Sequence, residues 1–380
     1  MTPPVDSAEV QQWLSEIDMD NVPSIPVTGL NGCSNQTFNA DNYENRGPDG
    51  YCWWTCGYCT RATDISFCPN QYDWGVSYDD GPSPDTPRLL NFLDANNVKS
   101  TFFIVGSRAL SRPEMIQTEY MGGHQLSVHT WAHPPLTQMT NEEIVAELGW
   151  TKKVLKDITG VTPNTFRPPY GDIDDRVRYL ALQMGLQPII WTTADENQFD
   201  TRDWQIGGGV VDAPTVYSNF ETFLESAVSN LSTGFIVLEH DLYQQSVTLA
   251  VDYILPRVLN AGELMLKPIV SCLGKDLAEA YIETSSNDTS LLQTTSTWTG
   301  ASGTGFVDEL AVAATDAGSS ASPTSSSSED SSSESGSSSS PSSSSNSDSN
   351  STGAGAVVRV DAGMLLCATL AAFAGYRLVL

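Results

Sequence analysis

Positive charge is what this chain has least of. Lysine and arginine number 18 against 46 aspartates and glutamates, and the formal net charge is -28. A polyanion held by its phosphates needs Lys and Arg, so the balance argues against nucleic acid as a partner. A neutral or polycationic polymer remains compatible with it. The simplest use of such acidity is to keep a secreted protein soluble. Histidine is scarce too, at four residues, so any clustering of histidines carries information. The opening Met-Thr-Pro-Pro-Val-Asp has neither the basic segment nor the apolar stretch of a secretory leader. The CxxC at Cys56-Gly-Tyr-Cys59 has no second CxxC or histidine pair near it, which disfavours zinc-ribbon and redox readings.

Seven cysteines are present: Cys33, Cys52, Cys56, Cys59, Cys68, Cys272 and Cys367. Cys367 lies in a C-terminal apolar segment, and the other six suit disulfides in an oxidising compartment, with the pairing left open. Asn35, Asn230, Asn287 and Asn350 each begin an N-glycosylation sequon. Together these features predict a secreted protein whose leader lies outside this sequence.

The chain divides by composition. Residues 1–70 are rich in Asn, Gly, Pro and Cys, and read as a loop-dominated extension stapled by sulfur. Within them only Val10 to Ile17 has helical spacing. Residues 71–275 alternate strand and helix patterns. Strands are expected at Trp74–Tyr78, Ser100–Val105, Leu126–His129, Pro188–Thr192 and Gly234–Glu239. Thr140-Asn-Glu-Glu143 is a capping box opening a helix through Ile158, with Gly160 closing it. Ser218-Asn-Phe-Glu221 reads as a second capping box, opening a helix through Leu231. Repeated strand–helix units indicate an α/β fold, a parallel barrel or a doubly wound sheet, with sites at the C-terminal ends of the strands.

Residues 285–352 are dominated by Ser, Thr, Asp and Gly. They have too little apolar surface to fold and read as a disordered, O-glycosylated stalk. In residues 353–380, an apolar tail from Ala362 to Leu380 follows the small residues around Asn350, Ser351 and Gly353. This pattern predicts a GPI-anchor signal attached near those three residues, tying the protein to the plasma membrane or cell wall.

The chemistry gathers at predicted strand ends. Val76-Ser-Tyr-Asp79-Asp80-Gly-Pro82 sets two adjacent acids on an extended backbone, where side chains alternate faces. Two like charges this close need a compensating cation or Arg. His129-Thr-Trp-Ala-His133 places two of the four histidines after another strand, with Pro134-Pro135 turning the chain away from helix. Two His and one Asp form a zinc-type ligand set with open positions. His124, beside Gly122-Gly123, reads as structural.

Five ordered segments carry a resemblance. Ser77–Pro82, His129–His133, Arg167-Pro-Pro-Tyr170, Asp200-Thr-Arg-Asp203-Trp204 and Ile236–His240 resemble the motifs of the NodB-type polysaccharide deacetylases, carbohydrate esterase family 4. The cysteine-rich lead-in, Ser/Thr stalk and anchor tail resemble the fungal chitin deacetylases of that family. The resemblance implies a distorted (β/α) barrel and a metallohydrolase that uses zinc, with cobalt or manganese as alternatives. It implies Asp80, His129 and His133 as metal ligands, Asp79 as general base and Arg167 as its orienting partner. Tyr170 would stabilise the oxyanion through its backbone N–H. His240 would be the general acid, tuned by an acid of the fourth motif: Asp200 first, then Asp203, with Asp195 also competing. Leu238 and Trp204 would line an acetyl pocket. Ser77-Tyr78 replaces the family's more common Thr-Phe, a mild change.

The expected activity is hydrolysis of N-acetyl groups of cell-wall chitin, or another N-acetylglucosamine polymer, by a monomeric cell-surface protein. The competing readings are deacetylation of xylan or a peptidoglycan-like polymer, a non-catalytic wall-binding protein, and a structural wall mannoprotein.

Overall fold

The structure, a computed structural model, describes residues 2–194 and 197–286. Its centre is a set of short parallel strands. β1 (Asp73–Gly75) and β2 (Ser77–Asp79) are followed by β3 (Thr101–Ile104), β4 (Gln125–Val128), β5 (Thr165–Phe166) and β6 (Gln187–Pro188). β7 (Thr193–Ala194) and β8 (Asn197–Gln198) form a small antiparallel pair. β9 (Phe235–Ile236) and β10 (Met265–Lys267) complete the set. One parallel sheet runs β2-β3-β4-β5-β6 and another β10-β1-β9.

The two sheets join into a distorted barrel through single pairings. Thr192 N–H reaches Ile236 C=O at 2.9 Å, and Asp200 pairs with Leu238. Asp79 N–H reaches Glu239 C=O at 2.9 Å and Asp241 N–H reaches Asp79 C=O at 3.1 Å. Parallel strands joined by crossover helices bury both faces, and their sequences are correspondingly apolar. Trp74, Phe102, Phe103, Phe166 and Phe235 are buried almost completely; each large apolar side chain so buried contributes roughly 1.5–3 kcal/mol.

The expected strand Trp74–Tyr78 is two strands in two sheets. Val76 separates them: its N–H bonds Lys267 C=O and its C=O accepts from Thr101 N–H, both at 2.9 Å. The break lets β1 pair with β10 while β2 pairs with β3. The expected strand Pro188–Thr192 has ladder pairing only at Gln187–Pro188, extended by an Ile65–Ile189 bridge. The helix expected to open at Ser218 runs from Ala213 to Ser229. Its N-cap is Asp212, whose side chain accepts from Thr215 N–H, so the Ser218 capping box is interior to the helix. The Thr140 box does open the helix Asn141–Thr159, with both of its hydrogen bonds formed and Gly160 left-handed at its end.

The N-terminal segment packs on this barrel. Its helix Ala8–Glu16 buries Val10, and the ring of Trp13 fills the place a side chain would take at Gly149, 2.2 Å from an ideal Cβ. Arg61 pairs with Asp175, and Arg178 with Asp64. The sulfur pairing is Cys33–Cys56, Cys52–Cys59 and Cys68–Cys272. The two members of the CxxC are thus bonded to other partners. Among the described residues no helix is long and apolar enough to cross a membrane. Asn287, Asn350, Ser351 and Gly353, with the expected stalk and anchor signal, lie outside the described residues, as does Asp195.

Candidate active site

The polar residues expected at strand ends come together at one end of the barrel. Asp79 ends β2 and Asp80 follows it; His129 follows β4 and Arg167 follows β5. Asp79 also pairs with His240 by a β-bridge, which brings the last motif beside the first.

Asp80, His129 and His133 offer ligand atoms that all lie within 4.8 Å of one another. Asp80 Oδ1 is 3.5 Å from His129 Nε2 and 3.1 Å from His133 Nε2. That oxygen is buried with no hydrogen-bond partner, an arrangement suited to a cation. His129 Nδ1 lies 2.8 Å from the Arg167 carbonyl; donating a proton there leaves Nε2 as the ligating atom, the usual outer support of a metal-bound imidazole. Burial lowers the pKa of His133, favouring the neutral, ligating ring. Burial alone would raise Asp80, yet the neighbouring histidines hold it well below the carboxylate range. These donors fit a divalent metal with open coordination positions.

Asp79 faces elsewhere. Its Oδ1 accepts from Arg167 Nη1 at 2.6 Å. Arg167 is fully buried, gives a second bond to Ser77 Oγ at 3.1 Å and stacks on the Phe103 ring at 3.9 Å. Burial lowers the Arg167 pKa and Asp79 opposes that shift. The adjacent acids thus have different partners, although His129 Nε2 is also 3.8 Å from Asp79 Oδ2.

Across the site, His240 Nδ1 is 2.7 Å from Asp203 Oδ1, and the His240 N–H donates to Asp203 Oδ2 at 2.9 Å. Burial pushes the imidazolium down, but Asp203, with Asp80 and Asp79, more than offsets it and lifts the pKa to about 10. The acid on His240 is therefore Asp203 and not Asp200, the first expectation. Asp200 Oδ1 is turned to the Arg202 N–H at 2.8 Å, in a bend where Arg202 is left-handed. Leu238 is buried two residues before His240, and Trp204 is exposed immediately after Asp203.

Backbone strain concentrates here. Asp80, Thr130, His133 and Tyr170 all have positive φ, between 61° and 78°. Non-glycine residues in that region cost about 1–3 kcal/mol each and persist where surroundings over-determine them, as at active sites. The Tyr170 ring packs edge-on to His133, with centroids 4.7 Å apart, and its N–H donates to no backbone or side-chain acceptor among the described residues. Sequence reasoning missed several supports. Glu147 Oε2 accepts the Trp131 and Ala132 N–H groups at 2.8 Å each, shaping the loop between the two histidines. Its signal was an acid three residues after Ile144, on the apolar face of its helix. Asp172 and Thr137 carried no comparable signal. His124 is a satisfied interior residue: its Nδ1 lies 3.2 Å from the Ser100 N, and burial lowers its pKa to about 4.

The family profile described as polysaccharide deacetylase matches residues 68–189. Chitin deacetylase 1 of Cryptococcus neoformans var. grubii is 58% identical over 301 residues, covering 78% of this chain and 62% of that protein. Chitin deacetylase 2 of Saccharomyces cerevisiae is 32% identical over 240 residues, covering 63% of this chain and 68% of that protein. A solved chitin deacetylase from the fungal pathogen Colletotrichum lindemuthianum matches with a TM-score of 0.51 and 26% identity, over 57% of this chain and 94% of that one. The chain spans about three fifths of the length of the first curated relatives it matches. The chain belongs to the polysaccharide deacetylase family, with fungal chitin deacetylases among its relatives.

Proposed function

We propose that this protein is a metal-dependent chitin deacetylase, hydrolysing N-acetyl groups of the polymer to leave chitosan and acetate. The observation that carries the reading is the separation of the two adjacent acids: Asp80 lies against His129 and His133 while Asp79 is held by Arg167. The names of the relatives support chitin as the substrate.

In this reading Asp80, His129 and His133 hold a divalent metal, zinc by its nitrogen and carboxylate donors. When bound, it supplies Lewis-acid polarisation of the amide carbonyl and activation of water. Asp79, oriented by its ion pair with Arg167, takes the proton of the attacking water as its oxygen joins the carbonyl carbon. The Tyr170 N–H stabilises the oxyanion, a role in which a single donor is worth about 3 kcal/mol. His240, protonated through its pairing with Asp203, gives its proton to the nitrogen as the C–N bond breaks. Asp203 is a positioning residue; Asp200 has no part in the step. Leu238 and Trp204 line the acetyl pocket.

We further propose that residues 1–70 and 71–275 are the extension and catalytic domain, and residues 285–352 and 353–380 the stalk and GPI signal. The protein would be a secreted, monomeric glycoprotein of the cell surface, carrying glycans at Asn35, Asn230, Asn287 and Asn350 and lipid near Asn350, Ser351 or Gly353. The three disulfides support an oxidising compartment.

The test is acetate release by the purified protein from chitin oligomers, acetylated xylan and peptidoglycan fragments, with chelator and then with added zinc. Release from chitin oligomers, lost on chelation and restored by zinc, is the expected result. Release from xylan alone would move the substrate, and none from any glycan would sink the enzyme reading.

A further inference from the structure

We propose that the cysteine-laced N-terminal segment is a wall of the active site that sets the aim of the Tyr170 N–H, with the carboxylate of Asp172 as the positioning group. The proposal rests on the reading of that N–H as the oxyanion donor. Asp172 lies two residues after Tyr170 and is buried at 4% exposure. It accepts hydrogen bonds from two parts of the chain. Oδ1 takes Trp53 Nε1–H and Thr55 Oγ1–H, both at 2.9 Å. Oδ2 takes the Thr137 N–H at 2.9 Å and its Oγ1–H at 2.7 Å. Trp53 and Thr55 belong to the extension, and Thr137 follows the metal-ligand candidate His133 by four residues. One carboxylate thus ties together the oxyanion turn, the histidine loop and the extension. Hydrogen bonds to a buried charged acceptor are the strong kind.

Neighbouring contacts reinforce the same junction. Trp54 N–H donates to Ile173 C=O at 3.0 Å. The Trp54 ring sits over Gly171, 2.3 Å from where a Cβ would stand, and Gly171 has φ of 65°; a side chain there would meet both strain and a ring. Thr28 donates its N–H to Thr137 C=O at 2.9 Å, and the two hydroxyls lie 2.7 Å apart. The anchors are in turn held by Cys52–Cys59 and Cys33–Cys56, which bracket residues 53–55. Tyr170 therefore keeps its left-handed backbone because the residues that follow it, Gly171 to Ile173, are fixed from the extension. Residues 28 and 53–55 precede the stretch matched by the family profile, so this support is built outside the five motifs.

The test compares Thr55→Val, which removes one donor to Asp172 at nearly constant shape, with Thr55→Ser, which keeps it; Trp53→Phe is the second variant. For each, kcat and KM on a chitin oligomer, metal content and amide hydrogen exchange over 169–173 are measured well below the melting temperature. Thr55→Val and Trp53→Phe are expected to lower kcat about five- to tenfold, part of the roughly hundredfold that loss of a whole oxyanion donor costs. KM and metal content stay as in the unaltered protein, exchange over 169–173 quickens, and Thr55→Ser restores all values. Unchanged kcat in both variants overturns the proposal, as does a loss confined to KM or metal content. If the unaltered protein releases no acetate, the deacetylase reading fails instead. Exchange then decides the positioning role, and unchanged exchange overturns it.

Discussion

Asp203 shows how one side chain sets the working state of another. It bonds both the ring and the backbone N–H of His240, so it fixes the imidazole in place while stabilising its charge. The folded pKa is raised from 6.5 to about 10. The stabilisation from that charge is complete below pH 6.5 and is lost as pH rises through about 10. A proton donor is thus retained through neutral and mildly alkaline pH. Asp203→Asn is expected to lower kcat about 10²-fold or more and to move the alkaline limb of the kcat profile toward neutral pH; a pH-rate series on both proteins checks it. An alkaline limb that does not move would remove Asp203 from its role. Asp79, Asp80, His129, His133, Arg167 and His240 were legible because each stands in a local segment of distinctive residue types. The choice between Asp200 and Asp203 was not, because it depends on the bend at Arg202, which turns one acid toward backbone and the other toward His240.

At the scale of elements, the barrel is held by short ladders and single bridges, so covalent and capping devices matter. Cys68–Cys272 closes a separation of 204 residues and links the start of the barrel to the helix Ile269–Cys272. Replacing both cysteines by serine is expected to cost about 3–5 kcal/mol, read as a lower midpoint in denaturant with little change in KM. An unaltered midpoint would show that the strands need no such clamp. The strand–helix alternation was legible from apolar spacing and the Thr140 capping box. The division of Trp74–Tyr78 at Val76 was not, because it arises from competition between β10 and β3 for neighbouring stretches of one strand. Nor was the sulfur pairing, which is set by which loops meet in space. The start of Ala213–Ser229 was misplaced because Ser218 and Glu221 fit a capping pattern by coincidence, whereas Asp212 supplies the cap.

The whole molecule is strongly acidic, with a net charge of -28, and its proposed product, chitosan, is a polycation. Retention on immobilised chitosan is expected to weaken steeply as ionic strength rises past roughly 0.15 M, where the screening length is about 8 Å; elution insensitive to salt would count against a role for the charge. The site is itself a property of the assembled barrel: β2, β4, β5 and the bridge to His240 each supply one part of it. The extension and the Asp172 junction are the part of that assembly that motif reading left out. In the proposed mechanism Asp79 and Asp80, adjacent in the chain, do separate work. The most direct test measures metal stoichiometry and acetate release on the same samples of Asp79→Asn and Asp80→Asn. Asp79→Asn is expected to keep its metal and lose turnover by about 10²–10⁴-fold, while Asp80→Asn loses the metal and turnover together. An Asp79→Asn protein stripped of metal, or one that still releases acetate at the unaltered rate, would contradict it.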